Sequence, residues 1–137
     1  MNLIELIPLG ATHSAKLIVT HDLTVQARVP ELPPVYSTPN MVLVMELVCS
    51  ELLKTRLPAE WVSVGAFIDV RHLAATPVGF EVTVKATVVD VSEKLVTFEL
   101  EAHDDVDLIG SAKHARAPIE SARFMRGVEK KRAARFG

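Results

Sequence analysis

The sequence predicts an α+β fold in which one curved antiparallel β-sheet wraps a single long helix. Three observations carry that expectation. From Met41 to Cys49 every residue but Glu46 is apolar, the mark of a helix covered on more than one side. Four later stretches alternate apolar and polar residues with the period of two of a half-buried strand. The joins between these stretches are short, which makes neighbouring strands antiparallel. With 137 residues there is material for one such domain and little room for a second. The expected boundary puts the domain in residues 1–120 and a basic tail or short helix in residues 121–137.

Each element follows from local patterning. Residues 15–26 place Leu17, Val19, His21, Leu23 and Val25 on one face and mostly polar residues on the other, and so predict a strand. Pro30, Pro33, Pro34 and Pro39 deny regular structure to residues 28–39, which read as a surface loop. Thr38 before Pro39 is a helix start, with Thr38 as the N-cap and proline at the first helical position. The helix should run to about Arg56 and stop before Pro58. Residues 61–74 put Val62, Val64, Ala66, Ile68, Val70 and His72 on one face. Residues 80–90 do the same with Val82, Val84, Ala86 and Val88, and residues 95–103 with Val96, Phe98 and Leu100. A last strand covers about 107–118. Turns at Thr76–Gly79, Asp90–Lys94 and His103–Asp105 predict a meander of four strands. Residues 121–135 read as a short basic helix with Phe124, Met125 and Val128 as its apolar stripe. A sheet with one wet face cannot cover an all-apolar helix on every side. The chain is therefore expected to dimerise through a sheet edge, as a homodimer or a dimer of dimers.

Composition removes several classes of function. No apolar run approaches the roughly 18 residues that span a bilayer. The first residues lack the basic and small-residue features of a signal peptide. The lone Cys49 can form neither an internal disulfide nor a thiolate zinc site. The expectation is a soluble, cytoplasmic protein with no membrane partner. Residues 1–120 carry 9 Lys and Arg against 16 Asp and Glu, a net −7, whereas residues 121–137 carry 6 against 1, a net +5. An acidic body with a basic tail argues against a nucleic-acid-binding domain, whose cations spread over a folded face. His13, His21, His103 and His114 lack metal-ligand spacing, and there is no phosphate-binding glycine loop or nucleophile elbow. No metal and no cofactor is expected.

Two polar residues occupy apolar positions. Glu46 sits in the middle of the helix, about 140° around the axis from Glu51, where an isolated carboxylate is costly and seeks a partner. His72 ends the inward register of its strand. A carboxyl and an imidazole facing one core are the raw material of general acid–base chemistry. Singly, each has an ordinary structural reading. Glu46 pairs with an arginine across a dimer or caps a loop N–H, His72 is a hydrogen-bonded strand end, and Thr38 is a plain N-cap. Cys49, in apolar surroundings that disfavour a thiolate, reads as a small core residue.

The order of elements resembles the hot dog fold, and the motifs resemble its fluoroacetyl-CoA thioesterase branch. The segments that carry the resemblance are Ser37-Thr38-Pro39, the helix with Glu46, Val64-Gly65, and the string from His72 to Gly79, which is the most specific. Ala102-His103-Asp104, Ile109-Gly110-Ser111 and His114-Ala115-Arg116 also match, so the resemblance spans roughly residues 10–120. It implies hydrolysis of an acyl-CoA thioester by Thr38, Glu46 and His72. Glu46 would attack the carbonyl or activate water, His72 would serve as general acid–base, and Thr38 would orient the carboxylate or the acyl group. Gly65 matches a position whose backbone lies against the acyl group, where a glycine suits close approach and an N–H can hold an oxyanion. Arg116 also matches a family position near the site. Coenzyme A would enter only as part of the substrate. It is a polyanion, so Lys113, Arg116 and the basic tail are the candidate cations against the acidic body. The fluoroacetyl-specific members carry an aromatic-rich lid before the helix. Here residues 29–36 hold only Tyr36, so a small or medium acyl-CoA is the expected substrate. Two alternatives share the fold: an acyl-CoA hydratase or dehydratase, and an acyl-CoA binding module without turnover.

Overall fold

A computed structural model describes all 137 residues. A short helix α1 (Leu3–Leu6) precedes strand β1 (Thr12–Ile18), two single-turn 3₁₀ segments (His21–Leu23 and Val25–Ala27) and the long helix α2 (Thr38–Lys54). Four strands follow: β2 (Trp61–His72), β3 (Glu81–Val91), β4 (Val96–His103) and β5 (Leu108–Glu120). Helix α3 (Ser121–Phe136) ends the chain. β1 is shorter than the alternation of residues 15–26 predicts. Its partner β3 begins at Glu81, opposite Ile18, so the ladder has nothing further to pair with. The chain turns instead, and Thr24 Oγ1 donates to the His21 carbonyl at 2.7 Å and accepts from the Ala27 N–H at 3.3 Å.

The sheet is antiparallel throughout, in the order β1-β3-β4-β5-β2. This corrects the four-strand meander: only β3, β4 and β5 form one, and β2 pairs with β5 at the far edge. The segment joining β2 to β3 is not a hairpin but a crossing loop. It is held by the Thr76 hydroxyl on Asp104 Oδ2 at 2.8 Å, the Tyr36 N–H on the Thr76 carbonyl at 2.9 Å and a bridge between Val35 and Pro77. Gly79, at φ +96°, takes the left-handed turn that an L side chain resists.

Helix α2 lies on the concave face. Its Met41, Met45, Val48, Cys49, Leu52 and Leu53 are buried against Val82, Val84, Phe98 and Leu100 of the sheet, and each such side chain removed from water contributes roughly 1.5–3 kcal/mol. The helix is not covered all round. Leu43 and Leu47 remain 51% and 48% exposed, an open apolar stripe along one side. The cap also differs from expectation. Ser37 is the N-cap, its side chain accepting from the Asn40 N–H at 3.3 Å, and Thr38 is the first helical residue. Either hydroxyl suits a cap, and the one left over is free for another partner.

Strand β2 carries a second correction. A β-bulge between Gly65 and Phe67 leaves Ala66 without a cross-strand partner. The extra residue shifts the pleat by one position. Beyond the bulge Ile68, Val70 and His72 face inward as predicted. Before it Trp61, Ser63 and Gly65 face inward, while Val62 and Val64 turn to the convex side.

Helix α3 continues directly from β5. The Glu120 side chain accepts from the Arg123 N–H at 3.3 Å to cap it, and none of its residues is buried.

Candidate active site

The structure gathers the expected site residues, Lys113 excepted, in two groups. The first joins the start of α2 to the end of β2. Thr38 Oγ1, released from capping, shares a hydrogen bond of 2.7 Å with His72 Nδ1. They line a cavity of about 470 Å³ with Val25, Val35, Tyr36 and Leu73. His72 Nε2 is buried with no partner, as is the Tyr36 hydroxyl. Burial holds the His72 imidazolium below the ordinary histidine range, partly offset by the Ala74 backbone. Burial alone pushes the Tyr36 phenol up to about 12.

The second group lies two turns further along α2. Glu46 is half-buried and faces Gly65 and Arg116 in a separate cavity of about 300 Å³, flanked by Leu43, Leu47 and Ser63. A Cβ placed on Gly65 would lie 2.9 Å from Glu46 Oε1, so the carboxylate rests on the backbone there because the residue is glycine. Arg116, 7% exposed, brings Nη1 to 4.0 Å from Glu46 Oε1. Its Nε and Nη2 donate to the Ser63 hydroxyl and carbonyl, each at 2.8 Å. His114 is wholly buried beside it, with Nδ1 2.7 Å from the Phe67 carbonyl and Nε2 3.2 Å from Arg116 Nη1. A neutral imidazole satisfies both bonds, donating from Nδ1 and accepting at Nε2. Burial and the adjacent guanidinium lower the His114 pKa, with the Phe67 carbonyl and Glu46 opposing them. Burial also draws Arg116 down, against the pull of Glu46, yet a guanidinium stays cationic.

Sequence patterning missed Ser63 and His114. Ser63 turns inward only because of the bulge, and His114 holds the bulge carbonyl of Phe67. Nothing in a period of two announces an inserted residue. Cys49 neighbours this cluster, but burial pushes its thiol up to about 12, which leaves it inert as a nucleophile.

Within one chain the two groups stay apart. Thr38 and Glu46 are eight residues, about 12 Å, apart along the helix axis. Gly65 and His72 are seven residues, about 23 Å, apart along β2. Lys113 joins neither group. It lies on the opposite face of the sheet, in a shallow cleft with Asp69, Arg71, Glu99 and Glu101.

The close fit at Gly65 yields a direct expectation. Gly65→Ala should displace the Glu46 carboxylate and, where Glu46 takes part in a reaction, lower kcat by about tenfold or more. The melting temperature should change little, because the displaced side chain is half-exposed. Unaltered kcat would show that this contact has no part in the reaction.

The fold is that of a hot dog acyl-CoA thioesterase. A family model described as fluoroacetyl-CoA-specific thioesterase (FlK) matches residues 19–122, and the chain belongs to that family. It is 39% identical over 104 residues to the fluoroacetyl-CoA thioesterase of Streptantibioticus cattleyicolor, covering 76% of this chain and 75% of that one. Among solved structures it is similar to the fluoroacetyl-CoA thioesterase FlK, with a TM-score of 0.85, 34% identity, and 91% and 97% of the two chains covered. It is also similar to a thioesterase superfamily member from Thermus thermophilus, with a TM-score of 0.84, 27% identity, and 93% and 97% covered. No helix of the chain is long and apolar enough to cross a membrane.

Proposed function

We propose that the protein hydrolyses the thioester of a small or medium acyl-CoA, with Glu46 as nucleophile or base and His72 as general acid–base. The observation that carries this reading is the Thr38–His72 hydrogen bond of 2.7 Å, which orients the imidazole and leaves its buried Nε2 unpartnered. That nitrogen is the one available to exchange protons with substrate. Glu46 attacks the thioester carbonyl carbon, or takes a proton from the water that does. The C–S bond breaks, the proton released by the attacking water passes through the neutral His72 to the departing thiolate, and water supplies the oxygen that completes the carboxylates. The Gly65 backbone lies against the acyl carbonyl, and Arg116 holds Glu46 in position. Thr38 keeps the ring in place. Water and these side chains suffice, so the reaction calls for no cofactor.

The reaction needs both groups at one point, and a dimer supplies that. β2 is an edge strand, and α2 exposes Leu43 and Leu47 beside it. An edge of 12 residues next to an apolar stripe is a surface that demands cover. Two-fold antiparallel pairing of β2 strands can set Gly65 opposite the partner's His72. Directly opposed residues share a face, and both of these point inward. Each site then takes Glu46, Gly65 and Arg116 from one protomer and Thr38 and His72 from the other.

Val25, Val35 and Leu73 offer an aliphatic acyl pocket. The only aromatic of the lid segment, Tyr36, is buried, which favours unsubstituted short acyl groups over selection of a fluorinated one. Release of free CoA from a panel of acyl-CoA esters tests the reading. Turnover of at least one short or medium ester is expected, and none across the panel would favour a binding module. The pH profile is a separate check. Since burial lowers the His72 pKa, the neutral base persists to lower pH than a free imidazole. The acid limb of kcat/KM should fall below about pH 6.5. A limb centred above that value would remove His72 from the role.

A further inference from the structure

We propose that the cleft between α3 and the ends of β2 and β5 binds the nucleotide end of coenzyme A, its adenosine 3′,5′-bisphosphate portion. This rests on the acyl-CoA reading above and adds a site to it. The cleft has a volume of about 540 Å³, larger than either half of the reaction site. Trp61, Phe124 and Val128 line it with aromatic and aliphatic surface, and Arg123 and Lys131 supply cations. Flat apolar walls beside paired cations are the chemistry that holds a stacked base and its phosphates. One acid, Glu120, also lines the cleft, its side chain turned to the Arg123 N–H at 3.3 Å, and Glu129 pairs with Arg132 at 2.7 Å.

Charge and position agree with this occupant. The acidic body repels a polyanion, while α3 carries six cations against one acid. The cleft and the Glu46 cavity lie along the same pair of strands, β2 and β5. Ser63 lines that cavity and Trp61, two residues earlier on the same inward face, lines the cleft. Gly65 and Trp61 are four residues, about 13 Å, apart, a track for the pantetheine arm between thioester and nucleotide. Gly127 keeps the cleft open. It sits in mid-helix, where glycine weakens the helix by about 1 kcal/mol relative to alanine, and a Cβ there would meet nothing within 4 Å. The α3 wall lies beyond residues 19–122 matched by the family model.

The test uses the whole chain and two readouts. Calorimetry measures binding of adenosine 3′,5′-bisphosphate without turnover, and kinetics compares the CoA and pantetheine thioesters of one acyl group. Wild type should bind the bisphosphate and favour the CoA ester about tenfold in kcat/KM, the effect of two modest charge-assisted contacts. The double variant Arg123→Ala/Lys131→Ala should lose both the binding and the preference. Gly127→Leu, which improves helix propensity while filling the cleft, should hold or raise the melting temperature and still lose the binding. Binding that survives Gly127→Leu would mean diffuse attraction to a basic helix and would overturn the cleft. So would a wild type that hydrolyses both esters equally and does not bind the bisphosphate. Bisphosphate binding without hydrolysis of either ester would sustain the cleft and overturn the thioesterase reading instead.

Discussion

Glu46→Gln is expected to lower kcat for the best acyl-CoA ester by about 10²–10⁴, the range of a lost acid–base or nucleophilic group. The amide keeps the shape of the carboxylate and its place on Gly65, so the fold should survive. What it loses is the negative oxygen that we propose attacks carbon or accepts a proton. It also removes the charge facing Arg116 Nη1 at 4.0 Å, but Arg116 keeps its bonds to Ser63, so the cluster should hold its geometry. His72→Ala is expected to cost at least 10², and there KM should move less than kcat, because the role proposed for the imidazole is proton transfer rather than binding. Near wild-type rates in either variant, with circular dichroism confirming the fold, would sink the assignment. Single-turnover hydrolysis in H₂¹⁸O then tests Glu46 as nucleophile, because label entering its carboxyl group requires a mixed anhydride that water opens at the Glu46 carbonyl.

Mixing the two inactive proteins is expected to restore activity. If each site draws Glu46 from one protomer and His72 from its partner, a heterodimer of Glu46→Gln and His72→Ala chains holds one intact site and one doubly damaged site. Random exchange of subunits makes half the dimers mixed, so about a quarter of wild-type activity should return. A site lying within one chain predicts no recovery at all, because every site would keep one lesion. The same preparations should sediment as at least a dimer. A stable monomer would leave Leu43 and Leu47 without cover and would contradict the composite arrangement. Charged residues in their place, as in Leu43→Glu/Leu47→Glu, should shift the assembly toward monomer and abolish turnover together.

Much of the architecture is written in local pattern. The buried helix, the four later strand alternations and the basic helix at the end fall where periodicity places them, within a few residues. Glu46 and His72 stand out because a charged group in an apolar helix and an imidazole in an inward register break the pattern around them. The misreadings share one origin. The strand of residues 15–26 is cut short because its partner ends, not because its own sequence changes. Thr38 gives way to Ser37 as cap, since two adjacent hydroxyls compete and only the packed structure chooses between them. β2 leaves its sequence neighbour β3 and pairs with β5, a preference that alternation is blind to.

What the sequence determined by itself is the inventory: one long apolar helix, a set of half-buried antiparallel strands, a carboxyl and an imidazole placed inward, and a basic end on an acidic body. These follow from interactions between residues close along the chain, which hydrophobic period and turn chemistry record. What only the tertiary structure decided is the arrangement. The inserted Ala66 turns Ser63 and Gly65 inward, His114 and Arg116 close around Glu46, and Glu46 stands about 12 Å along the helix from the Thr38 that holds His72. These depend on which strands meet and in what register, and a register is set by the whole sheet settling against its core rather than by any one segment.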